Sequence, residues 1–269
     1  MQEKIIKKNL NKLVDSWFSS ITDKNLVELL KRDIIITGGS IVNMVLNEEV
    51  NDYDIYLRDK ETVNVVANYY VNLFNKKNNG KVASVETENG RYIIKLFDTT
   101  NKKEKKINKS KKYDVLFLTD NAITLKDGIQ IIIRFFGEPE DIHKNYDFVH
   151  CTGYWTYYNN ELHISKEVYE CIINKTLKYQ GSLYPVSSIF RLRKFLKRGW
   201  TINVGQIFKI IYQISKLDLD NICVLKDQLV GVDILYFLDM LSYLKKNLKE
   251  EEPVSMEIIS RAIKEVFEE

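Results

Sequence analysis

The sequence predicts an α+β fold, a mixed β-sheet with flanking helices followed by an all-helical C-terminal region. Three observations carry that reading. Short β-branched or alternating runs recur between residues 33 and 164, helical stripes precede and separate them, and from Ser165 onward only helical periodicity remains. The 269 residues, 45% hydrophobic and 29% charged, are enough for one large domain or two small ones with a sound core. We divide them into residues 1–164 and residues 165–269. With 3 prolines and 11 glycines, the collagen-like, proline-rich and Gly/Ser-linker classes are excluded.

Taken in order, the first 32 residues read as two helices. Ile5, Leu10, Leu13, Val14 and Trp17 approximate one apolar stripe, and Thr22 or Asp23 can cap the second helix. Residues 33–37 are a short strand, Gly38-Gly39 a turn, and residues 40–46 a helix. Residues 52–57 alternate as a strand, and Val63, Val66, Ala67, Tyr70 and Phe74 recur at helical spacing. Further strands are expected at 81–86, 91–97, 113–118, 129–135, 148–151 and 161–164. Helices are expected at 165–174, 185–198, 204–214, 232–248 and 255–267. Pro185 suits a first helical turn and Gly199 a helix end.

No apolar run approaches the roughly 18–20 residues that span a bilayer, and the charged, amphipathic N-terminus lacks a signal-peptide pattern. Cys151, Cys171 and Cys223 are odd in number and widely spaced, which provides neither a disulfide framework nor a metal clamp. The expected compartment is the reducing cytoplasm, with no membrane partner.

The most informative stretch is residues 34–57, IIITGGSIVNMVLNEEVNDYDIYL. A strand, Gly38-Gly39-Ser40 and a helix form a turn whose backbone N–H groups and helix N-terminus can face an anion. The glycines let a phosphate approach, and the Ser40 hydroxyl adds a donor. Downstream, Asp52 and Asp54 alternate with Tyr53, Ile55 and Leu57, so the carboxylates share one face while the apolar residues take the other. Two adjacent carboxylates repel unless a cation lies between them, and magnesium favours carboxylate and phosphate oxygens.

Together these motifs resemble the polymerase-β-like nucleotidyltransferase superfamily, in which a GG[S/A] turn and short helix precede a DxD strand. The spacing looks like the head domain of CCA-adding enzymes and bacterial poly(A) polymerases. The stretch from TDNAITL to YDFVHC is similar to nucleotidyltransferase-like proteins of phages and large viruses, and the resemblance spans roughly residues 30–202. It implies a nucleotidyltransferase palm within residues 1–164 and two Mg²⁺ ions, replaceable by Mn²⁺, held by three carboxylates. Asp52 and Asp54 are two of these. The third is read as Asp147 in Tyr-Asp-Phe-Val, at a strand ending in DFVHC, with Asp114 in Tyr-Asp-Val-Leu as the alternative. Ions about 3.5–4 Å apart clamp the entering and leaving oxygens of an in-line displacement. The implied reaction moves a nucleoside monophosphate from an NTP such as ATP to an acceptor hydroxyl, with an RNA 3′ end ranked first and a protein or small-molecule hydroxyl second. A catalytically silent nucleotide- or RNA-binding module is the alternative. Where CCA-adding enzymes continue GGxVRD, this chain has Val42 and Asn43, a departure that argues against tRNA 3′-end repair.

Residues 102–112 hold seven lysines and one glutamate. That loop contributes +6 to a formal charge of +3, leaving −3 elsewhere, 33 basic residues against 36 acidic ones. It is a candidate RNA-backbone contact. On the helix at 185–198, Ile189, Leu192 and Leu196 are expected inward and Arg191, Lys194 and Arg198 outward, with Arg193 and Lys197 at the core edge as candidate triphosphate contacts. Tyr154, Trp155, Tyr157 and Tyr158 suit an aromatic strand or a base-stacking platform. The Lys-, Asn- and Ile-heavy composition is compatible with a phage or viral source.

Overall fold

In the computed structural model, which describes residues 3–77, 81–88, 90–98, 112–228, 257 and 260, helix α1 (Glu3–Phe18) buries Ile6, Leu10, Val14, Trp17 and Phe18. Ile6, not Ile5, takes the inward position, because 6, 10, 14 and 17 keep to one helical face; Ile5 is exposed. Helix α2 (Lys24–Asp33) is capped by Asp23, whose carboxylate accepts from Asn25 N and Leu26 N. Strand β1 (Ile34–Thr37) is wholly buried and runs into α3 (Gly39–Leu46). Strand β2 (Tyr53–Leu57) begins one residue after Asp52, and α4 (Lys60–Lys77) buries all five residues of the expected stripe.

A separate hairpin follows, β3 (Lys81–Glu88) with β4 (Arg91–Asp98). Next come β5 (Val115–Thr119), β6 (Ala122–Leu125) and β7 (Ile129–Phe136). Then come α5 (Pro139–His143), β8 (Tyr154–Thr156), β9 (Glu161–His163) and α6 (Lys166–Ile173). Seven strands form one sheet in the order β5-β6-β7-β2-β1-β8-β9, with β2 and β7 parallel and the remaining neighbours antiparallel. The fold is therefore α+β with a mixed sheet. The strand expected at 148–151 does not form. Phe148 makes only an isolated bridge to Tyr179, and Val149–Thr152 is a 3₁₀ turn.

The chain divides into two units, Met1–Lys144 with His150–Ile173, and Asn145–Val149 with Asn174–Glu269. In the second unit β10 (Thr176–Leu177) pairs in parallel with β11 (Thr201–Ile202), and α7 (Pro185–Lys197), α8 (Val204–Ile214) and α9 (Ile222–Gln228) follow helical periodicity. Pro185 opens α7, and Gly199, at φ 79°, ends it. Its inward face is Ser188, Leu192 and Phe195, whereas Ile189 and Leu196 are exposed. That corrects the expected stripe, and the cause is the Phe195 ring, which packs against Phe148 and Trp200. The helices expected at 232–248 and 255–267 lie outside the described residues, save Glu257 and Ser260, which are helical. Among the described residues, no helix is long and apolar enough to cross a membrane.

Among the buried polar contacts of the first unit's core, Trp17 Nε1 donates to the Tyr70 hydroxyl at 2.6 Å. Trp17→Phe leaves that hydroxyl without its donor and opens a small void. Urea denaturation is expected to register a loss of about 1–3 kcal/mol.

Candidate active site

The β1–β2 ladder pairs Ile36 with Ile55 and Thr37 with Asp54. Because the strands are antiparallel, the C-terminal end of β1, where the glycine turn begins, meets the N-terminal end of β2, where the two aspartates sit. The turn and the carboxylate pair therefore occupy one edge of the sheet. Gly38 has φ 86°, a region open to glycine, and its N–H donates to Cys151 O at 3.2 Å. A Cβ on Gly39 would meet nothing within 4 Å, so open space lies against the backbone at the start of α3. Ser40 is 2% exposed, and its Oγ has no hydrogen-bond partner among the described residues. A buried hydroxyl without a partner costs stability unless a ligand satisfies it.

Three contacts hold this edge. First, the Thr37 hydroxyl, fully buried, donates to Gly153 O at 2.8 Å. His143 Nε2 lies 2.8 Å from Thr37 Oγ1, so the neutral imidazole donates to that hydroxyl oxygen through Nε2. Burial pushes the His143 pKa down to about 4, with His163 adding to the effect and Glu140 opposing it. The Tyr154 ring packs between the imidazoles of His143 and His163. Second, the Asn43 amide donates to Glu49 O at 2.8 Å and ties the loop before Asp52 to α3. That gives a structural role to the residue where the motif departs from GGxVRD. Third, a Cβ on Gly128 would sit 2.4 Å from Asn51 O, so only glycine lets the start of β7 pass the backbone next to Asp52.

Of the predicted site residues, Gly38, Gly39, Ser40, Asp52 and Asp54 belong to this edge of the first unit. Asp147 belongs to the second unit, where its carboxylate accepts from Arg191 Nε and its backbone carbonyl from Gln180 N. Arg191, expected to face outward, is instead half-buried on that carboxylate. Arg193 and Lys197 are exposed on α7. Asp114, just before β5, pairs with Lys77 of α4. Among the described residues no three His, Cys, Asp or Glu side chains are grouped to hold a metal ion. Asn121 shapes the β5–β6 turn, accepting from Arg134 Nη1 through its side chain and from Ile133 N through its carbonyl. Of the four aromatics, Trp155 is buried, Tyr157 donates to Asp15, and Tyr158 is exposed. The lysine loop lies outside the described residues except for Lys112, whose ammonium donates to Ser16 Oγ.

An open cleft of about 650 Å³ lies at the opposite ends of β1 and β2, lined by Arg32, Asp33, Arg58, Asp59 and Glu138 among others. Arg32 is paired there with Asp33 and Asp59, and Arg58 with Glu138, so its guanidinium charges are already matched.

The pattern of one protein family matches residues 8–175, more than half of the sequence. The chain belongs to the Gabija anti-defense 2 family. A curated relative of that name, from Bacillus phage SPbetaL7, is 24% identical over 212 residues, covering 78% of this chain and 44% of the relative. The chain thus spans less than half the length of that Gabija anti-defense 2 protein. Among solved structures, it is similar to the Thermotoga maritima CCA-adding enzyme complexed with tRNA. That match has a TM-score of 0.45 and 13% identity, and covers 95% of this chain and 56% of that one. A CCA-adding enzyme in complex with ATP matches at a TM-score of 0.45 and 13% identity, over 100% of this chain and 61% of that one. The chain spans less than two thirds of either structure.

Two predictions follow from this edge in a Gabija anti-defense 2 fold. Gly128→Ala forces Asn51 away and, with φ 78° at that position, strains the turn. Thermal melting is expected to fall by several degrees, roughly the effect of 1–2 kcal/mol. The second concerns pH. The folded imidazole of His143 stays neutral to about pH 4, against an ordinary 6.5 in the unfolded chain. Acidification between those values therefore protonates the unfolded state first and lowers stability, by an amount on the order of 2–3 kcal/mol. His143→Gln is expected to flatten that part of the denaturation-versus-pH curve.

Proposed function

We propose that this protein is a magnesium-dependent nucleotidyltransferase that moves a nucleoside monophosphate from an NTP to an acceptor hydroxyl. The single observation carrying this reading is the Thr37–Asp54 register, which brings the glycine turn and the Asp52/Asp54 pair to one sheet edge. The unpartnered Ser40 hydroxyl and the open space at Gly39 support it, since both suit a triphosphate lying on the N-terminus of α3.

The donor set at this edge consists of hard oxygens, which suits magnesium. Asp52 and Asp54 would hold such an ion, which would supply charge neutralisation at the triphosphate and a lowered pKa for the acceptor hydroxyl. The chain's own groups do the positioning. Backbone N–H groups at Gly39 and Ser40 and the Ser40 hydroxyl bind phosphate oxygens. Thr37, braced by His143 and Gly153, fixes where the turn points.

An RNA 3′ end is the first acceptor to test. The family name favours a second, a macromolecule of the Gabija defence. A catalytically silent nucleotide-binding module is the remaining outcome. The deciding experiment incubates the protein and magnesium with each α-labelled NTP, and separately with total RNA and with the protein components of a Gabija system. Label is expected in one of these acceptors, reduced at least 100-fold by Asp52→Ala/Asp54→Ala. Ser40→Ala is expected to raise the KM for NTP roughly tenfold. Nucleotide binding without transfer to any acceptor overturns the enzyme reading and leaves the silent module.

A further inference from the structure

One face of the seven-stranded sheet carries a polar row. The ladder places Thr37 of β1 opposite Asp54 of β2, Asp54 opposite Gln130 of β7, and Gln130 opposite Thr124 of β6. Residues opposite each other across a ladder point to the same face, on strands about 4.8 Å apart. The other face, one residue along, is Ile36, Ile55, Ile131 and Ile123, all fully buried. Two residues along from the polar row, on its own face, the same strands carry Ile35, Tyr56, Ile132 and Ala122. On β1, β2, β7 and β6 that next level is thus Ile, Tyr, Ile and Ala, with Thr156 of β8 opposite Ile35 and Thr119 of β5 opposite Ala122 at the flanks. The Thr124 Oγ1 atom is buried and has no hydrogen-bond partner among the described residues, which marks an unfilled polar position beside Gln130.

We propose that Gln130 supplies a neutral oxygen ligand beside Asp54, with Thr124 orienting its amide, so that the seat holds one divalent cation before nucleotide binds. This inference rests on the reading of Asp52 and Asp54 as the cation seat. An amide carbonyl is a hard oxygen donor, and adjacent strands bring it within reach of an ion shared with Asp54. Two carboxylates match the charge of one divalent ion. A neutral third ligand adds coordination without the negative charge that a second ion requires, so a second cation enters with the triphosphate as its counter-ion.

The test is Mn²⁺ binding to the full chain, followed by the loss of the free-ion paramagnetic resonance signal, without nucleotide and then with a non-hydrolysable NTP analogue. The wild type is expected to bind one ion alone and two with the analogue. Gln130→Ala is expected to weaken the first ion about fivefold or more, and Gln130→Glu, which adds a third carboxylate, to tighten it about tenfold or more. Circular dichroism checks that both variants are folded; Gln130→Glu, nearly isosteric, keeps the test open if Gln130→Ala is not. Binding that is lost in Asp54→Asn but unchanged in both Gln130 variants overturns the role of Gln130 and leaves the carboxylate seat standing. Binding that no substitution at Asp52, Asp54 or Gln130 alters overturns both. Two ions bound by the wild type without nucleotide overturn the charge argument.

Discussion

The antiparallel ladder between β1 and β2 is the constraint on which the first unit depends. Thr37 is its critical residue, because the same side chain serves the sheet and the turn. Its backbone pairs with Asp54 on one side and Tyr154 on the other. Its hydroxyl, sealed from solvent, bridges His143 and the carbonyl of Gly153. A slip of one residue in this ladder would carry Asp54 to the opposite face and break that bridge. The open position at Gly39 and the buried Ser40 hydroxyl have their meaning only in this register.

The second unit illustrates the cost of a buried charge. Asp147 is 6% exposed, and an isolated carboxylate at that depth would be heavily destabilised. Arg191 neutralises it, and backbone bonds from Gln180 N to Asp147 O and from Val149 N to Lys178 O bind residues 145–149 into that unit. The segment thus behaves as part of the helical unit although it lies between two elements of the sheet unit in sequence. Asp114 is treated similarly by Lys77.

Charge is distributed in the same local fashion. The far cleft of the first unit is dense in arginine and aspartate, yet its ion pairs are internal, and exposed pairs of this type contribute little net energy. The edge with the glycine turn has fewer charges but leaves the Ser40 and Thr124 hydroxyls buried without partners among the described residues.

The sequence by itself determined the elements and the motif. Periods of 2 and 3.6 are properties of neighbouring residues, so the strand–glycine–helix turn, the strand through Leu57, a helix cap at Thr22 or Asp23 and the α4 stripe were legible without a fold. Strand 148–151 and the α7 stripe were misread for the same reason. Local apolar character is shared by a 3₁₀ turn and a strand, and the inward face of a helix is chosen by what packs on it. Tertiary structure alone decided that Thr37, Asp54, Gln130 and Thr124 form one row, that His143 reaches the turn, and that Arg191 belongs to Asp147. Each of these is a pairing between segments distant in the chain. Such pairings are set by ladder register and by the need to satisfy buried polar groups, neither of which leaves a local period in the sequence.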